Sequence, residues 1–145
     1  MRKRGAQHRI DDELKATITV GGYHGSIVCT DQGLLVASAG DIPSDEALAG
    51  FASLFDEIVA RGSRHLGLGA IDEATVLDRE AGRIVIRPVF AQGENDRKGH
   101  RVFVVLWMDA DATWRRNATR LIVRLRELLA PFVATPDGEE VALGD

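Results

Sequence analysis

Seven consecutive apolar residues, Val102-Phe-Val-Val-Leu-Trp-Met108, run without a polar interruption. A half-buried strand alternates apolar and polar side chains. One that does not alternate is covered on both faces and belongs in the middle of a sheet. The run is also far too short to span a bilayer.

Neighbours for that strand are written elsewhere in the chain. Ser26-Ile-Val-Cys-Thr30 and Leu34-Leu-Val-Ala-Ser38 flank Asp31-Gln-Gly33, where Gly33 can take the positive φ that closes a hairpin with a bulge. Ala74 to Glu80 and Arg83 to Phe90 read as two strands joined at Ala81-Gly82. Pro88 marks a strand end, an edge or a bulge, because it cannot donate to the ladder. The stretch from Gln92 to His100 reads as a polar, exposed loop.

Two helical stripes complete the pattern. The first starts at Ser44, a capping residue, followed by Asp45 and Glu46, which suit the positive end of a helix dipole. Leu48, Phe51, Ala52, Phe55, Ile58 and Val59 follow at helical spacing, and Ala47 and Leu54 widen the stripe beyond one core-facing seam. A stripe that wide asks for a second apolar contact. This helix ends at Gly62 or one turn later at Gly67. The second stripe opens at Asp111-Ala-Thr113 and runs through Trp114, Ala118, Leu121, Ile122, Leu125, Leu128 and Leu129. Pro131 is expected to end it. Residues 10–20 fit two patterns. Leu14, Ala16, Ile18 and Val20 alternate with Lys15, Thr17 and Thr19 as in a strand, while Ile10, Leu14, Thr17 and Ile18 fit a short helix capped by Asp11. The β-branched content favours the strand.

The chain has 145 residues, enough for one domain with its own core. Its net charge of −4 argues against non-specific nucleic-acid binding. The only cysteine, Cys29, excludes an intrachain disulfide and a CxxC zinc site. No apolar stretch follows the basic start, so no secretory signal is expected; the reading is cytoplasmic, with no membrane insertion. The basic start (Arg2, Lys3, Arg4, Arg9) and the acidic end (Asp137, Glu139, Glu140, Asp145) read as solvated, partly disordered extensions.

Signs of catalysis are sparse. His8, His24, His65 and His100 are scattered over terminus and loops, and no nucleophile, base and orienter assemble from spacing. Asp109 and Asp111 resemble a metal pair, yet a strand end and a helix cap explain them more simply. Gly62 to Gly69 has phosphate-loop glycine spacing, but Leu68 and Gly69 stand where Lys and Ser/Thr are required. The sequence is thus read as a non-enzyme, with no cofactor and no metal. Arg116, Arg120 and Arg124 form an i, i+4, i+8 ridge, which reads as a solvated face or as a surface for an acidic partner.

The order hairpin, wide amphipathic helix, three strands, amphipathic helix resembles the roadblock family of dynein light chains and bacterial GTPase regulators. The matching stretches are Gly25-Ser-Ile-Val-Cys-Thr-Asp-Gln-Gly-Leu-Leu-Val-Ala-Ser38, the Ser44 to Arg61 helix, Leu77 to Val89, and Val102 through Leu129, about residues 23–130. The resemblance implies an α+β fold: a five-stranded antiparallel sheet sandwiched between helices, in strand order 2-1-5-4-3. Residues 1–22 would then be an extension in strand or helix, and 131–145 an acidic tail. It implies a homodimer built through the long middle helix and the third strand, here Phe51, Leu54, Phe55, Ile58, Ala74, Val76 and Asp78. It also implies a bacterial module that regulates or scaffolds a small Ras-like GTPase or a motor or polarity complex, with Arg116, Arg120 and Arg124 as a possible partner surface. Roadblock domains usually begin with a helix beside the C-terminal one, where residues 11–20 here lean to strand. The alternative function is a small-ligand sensor of similar fold, with a pocket lined by Gly21–Gly25 and Gln92–His100. A hydrolase using His65 or His100 ranks below both.

Overall fold

The computed structural model describes residues 2–90 and 101–133. Its elements, in chain order, are α1 (Arg2–Gly21), β1 (Gly25–Thr30), β2 (Leu35–Gly40), α2 (Asp45–Leu66), β3 (Ala74–Asp78), β4 (Gly82–Pro88), β5 (Val102–Met108) and α3 (Arg115–Val133). The strands form one antiparallel sheet in the order β2-β1-β5-β4-β3.

The unbroken apolar run occupies the centre of that sheet. β5 pairs with β1 on one edge and β4 on the other. Its side chains divide by parity, as pleating requires. Val102, Val104, Leu106 and Met108 enter one core with α1 and α3. Phe103 and Val105 enter a second with α2, and Trp107 packs at its margin. β1 divides in register: Val28 joins the first core, and Ile27 and Cys29 the second. Helices on both faces are thus what a seven-residue apolar strand needs.

Residues 10–20 are helical, not extended. Ile10 and Leu14 are buried and Ile18 packs beside them, an i, i+4, i+8 row set against α3 and β2. Ala16 and Val20, the other members of the alternating set, face outward. Thr17 and Thr19 turn their hydroxyls back to donate to the carbonyls of Glu13 and Lys15, at 2.9 and 3.1 Å. That local bond satisfies a β-branched polar residue inside a helix. The helix reaches back to Arg2, through the segment expected to be a solvated extension.

α2 starts as its sequence dictates. The Ser44 side chain accepts from the Ala47 amide at 3.1 Å, and Asp45 and Glu46 fill the first turn. Of the two possible ends the later one is used. Gly67 adopts the left-handed conformation, and the Leu68 amide donates to the Gly62 carbonyl at 3.1 Å. α3 begins later than expected, with the Trp114 carbonyl accepting the first helical bond from Ala118. It also runs two residues past Pro131, which lies inside its last turn. The Gln92–His100 loop, His100 included, and the acidic tail from residue 134 on lie outside the described residues.

Candidate interaction surface

The described residues place the candidate reactive side chains as follows. No group of three or more His, Cys, Asp or Glu among the described residues could hold a metal ion. Cys29 is fully buried, and burial pushes its thiol up to about 12, so it is packing rather than a nucleophile. His24 Nε2 lies 2.7 Å from Asp109 Oδ1, joining the turn before β1 to the end of β5. His65 is exposed at the end of α2. Trp114 is buried in the α1–α3 core, with the Arg115 guanidinium 4.3 Å from its ring centre.

The unusual feature is a surface. α2 carries two apolar stripes. Leu48, Ala49, Ala52, Phe55 and Val59 are buried against β1 and β5. About a quarter-turn round the same helix, Leu54 and Ile58 are 52% and 51% exposed, and Phe51 lies between the stripes at 37%. Ala47 and Gly50 extend the bare stripe towards the helix start. This corrects one expected interface residue. Phe55 is fully buried and meets Phe103 edge-on, with ring centres 5.4 Å apart, so it belongs to the core.

β3 continues the bare surface. It is an edge strand, and α2 lies mainly over β1, β2, β4 and β5. Val76 lies opposite Ile84, and Ala74 opposite Ile86, so both point to the α2 side of the sheet. Val76 is 47% exposed, while Ala74 is half covered by the α2 core. Leu77, on the other face, is 55% exposed, and the sequence reading did not single it out. Asp78 has a local job: its carboxylate accepts from the Glu80 and Ala81 amides at 3.0 and 2.6 Å and shapes the β3–β4 turn. Beside α2, Arg101 and Asp56 form an ion pair at 2.6 Å in which each side chain is mostly covered. Their distance in sequence hid that pair.

The α3 ridge is divided in role. Arg124 pairs with Glu13 of α1 at 3.1 Å and with Glu127 at 3.2 Å, so it staples two helices together. Arg116 and Arg120 are exposed. A groove of about 240 Å³ runs between α1 and α3, lined by Val20, Asn117, Arg120 and Leu121 among others. It includes none of the Gly21–Gly25 turn that the sensor reading required. No helix among the described residues is long and apolar enough to cross a membrane.

No protein-family model and no curated protein matches this sequence. Solved structures do. An MglB with a tetrameric arrangement superposes with a TM-score of 0.70 at 16% identity, over 87% of this chain and 91% of that one. The Roadblock/LC7 domain from Streptomyces avermitilis gives 0.68 at 13% identity, over 83% and 97%. Myxococcus xanthus MglB gives 0.67 at 14%, over 86% and 97%. At such identities the likeness is one of fold. The five-stranded antiparallel sheet with helices on both faces is therefore the roadblock/LC7 fold, of the kind seen in MglB.

Proposed function

We propose that this chain, which has the roadblock/LC7 fold, works as a homodimeric interaction module that regulates or scaffolds a small Ras-like GTPase. The observation that carries the reading is the second apolar stripe of α2. Leu54 and Ile58 leave water only if something covers them, and burying apolar area contributes about 25 cal/mol per Å². Adjacent to them, edge strand β3 presents Val76 and an open row of backbone groups. A second copy that packs α2 on α2 covers the stripe with the same stripe, as an isologous contact does. Phe51, Leu54, Ile58, Ala74 and Val76 form this interface; Phe55 supports it from below.

The module has no chemistry of its own in this reading. It acts by shape on a partner's switch segments, which are order–disorder elements biased by contact. Arg116 and Arg120 offer that partner a positive edge, with Arg124 holding the two helices in place. The test is a pull-down with the immobilised full chain, the extract loaded once with a non-hydrolysable GTP analogue and once with GDP. Retention of a small GTPase in one nucleotide state and not the other supports the reading. Retention of nothing that depends on the nucleotide refutes it.

A further inference from the structure

The flank of α3 that faces β3 and β4 carries a row of arginines without carboxylate partners among the described residues. Arg83 and Arg87 sit four apart on β4, hence on one face of the sheet, the face that α3 covers. Arg83 donates to the Ala110 carbonyl at 3.0 Å. Arg87 reaches the Thr119 hydroxyl at 3.5 Å. Arg126 donates through Nε to the Val89 carbonyl at 2.6 Å. Thr119 and Arg126 are seven apart, two helical turns, so they share one side of α3. The Nε atoms of Arg83 and Arg87 are buried and have no hydrogen-bond partner among the described residues. Among the described residues, Arg115 at the head of the row is the member with an acid, Glu73 at 2.9 Å. Arg83 and Arg87 are partly covered and Arg126 is exposed, and a guanidinium has five donors, so each keeps donors to spare.

The complementary charge lies in this chain. After Val133, where α3 ends, the sequence continues with Asp137, Glu139 and Glu140 and no basic residue. Asp137 is four residues past Val133, an extended reach of about 14 Å, against about 10 Å of helix back to Arg126. Glu139 and Glu140 reach about 20–25 Å, against about 21 Å back to the Thr119 level, where Arg87 lies. Acid and base therefore fall in step when the tail runs antiparallel to α3. A net charge of −4 disfavours nucleic acid or an anionic membrane as the occupant. We propose that the acidic segment 137–140 of this same chain folds back along α3 and lies on the Arg126–Arg87–Arg83 row. Tethering makes the contact intramolecular, so weak surface ion pairs suffice to populate it. The row is the flank of α3 opposite the α1–α3 groove, so a segment lying on it leaves Arg120 open.

The test attaches a spin label at Leu143→Cys in the full chain and reads amide signal intensities. Cys29 is buried and stays unlabelled. At about 10 mM salt, where charges act over ~30 Å, Thr119, Val123 and Arg126 are expected to lose intensity several-fold, and to recover at about 1 M. The triple variant Asp137→Asn, Glu139→Gln, Glu140→Gln, which changes no described residue, should recover them at low salt as well. Intensities that are uniform at low salt overturn the proposal. So does broadening that persists when labelled chains are mixed with separate ¹⁵N chains, since that places the tail on a second copy. Shifts along the row that follow added inorganic phosphate, with no effect of the tail variant, also overturn it in favour of a free-anion site.

Discussion

Phe55 and Leu54 are neighbours in sequence with opposite fates, and mutating each in turn separates core from interface. Phe55 is fully buried between Leu48, Ala52, Val59 and Phe103, and its ring meets Phe103 edge-on. Phe55→Ala removes the ring's transfer free energy and leaves a cavity, together about 3–5 kcal/mol. The lost aromatic pair accounts for about 0.5–1.5 kcal/mol of that. For a chain of this size the melting temperature falls on the order of 10–15 °C. Leu54 is half exposed in one copy, so Leu54→Ala costs a single chain well under about 1 kcal/mol. The two losses also differ in their dependence on concentration. A core deletion costs the same at any protomer concentration, whereas the Leu54 loss shrinks on dilution because association contributes by mass action. Urea unfolding at two protomer concentrations a hundredfold apart reads both. If Phe55→Ala costs less than about 1 kcal/mol, or its cost falls on dilution like that of Leu54→Ala, Phe55 is not the core residue described above.

Three further outcomes follow from the packing. Burial pushes the Tyr23 hydroxyl, which donates to the Trp114 carbonyl at 2.8 Å, up to about 12 from 10.0, and the Cys29 thiol up to about 12 from 9.0. The folded state favours both neutral forms, so their contribution is whole below about pH 9 and is lost as pH rises towards 12, on the order of 4 kcal/mol for Cys29 and no more than about 2 kcal/mol for the less deeply covered Tyr23 hydroxyl. Denaturation followed across that window should show the fall, shallower in Cys29→Ala; a flat profile to pH 12 contradicts it. Gly82 has a φ of +105°, and a Cβ there would overlap the Met108 carbonyl, so Gly82→Ala should destabilise by about 1–3 kcal/mol in urea unfolding, and a neutral result removes the close β4–β5 approach. Arg124→Gln breaks partly exposed pairs to Glu13 and Glu127 and should cost only about 0.5 kcal/mol; a loss several times larger means the α1–α3 seam depends on it.

Much of the fold was legible because single segments had single readings. Val102–Met108 had to be central, and Ser44, Asp45 and Glu46 had to open a helix. Residues 10–20 were harder because Leu14 and Ile18 satisfy both a period of two and a spacing of four. Only the presence of α3 and β2 on one side decides between them, and that is not local information. The same limit applies to α2. Its two stripes are both apolar, so spacing shows two apolar faces and does not say which one the chain's own sheet fills. The interface that the resemblance implies therefore takes in Phe55 together with Leu54. Arg83 and Arg87 were visibly on one face of a strand, but that α3 lies beside them with Thr119 and Arg126 is a tertiary fact. The roadblock-like order of elements supplied what spacing could not, namely the strand order of the sheet.

The central claim is that a second copy covers the bare stripe of α2. Sedimentation equilibrium of the full chain at micromolar concentration, beside the Leu54→Asp, Ile58→Asp double variant, tests it most directly. Both positions are half exposed in one copy, so the variant folds, while a dimer would bury four carboxylates without partners. The account predicts twice the 15.8 kDa chain mass for the native sequence and the single-chain mass for the variant. A native chain that stays at 15.8 kDa, or a variant that stays at the doubled mass, contradicts it.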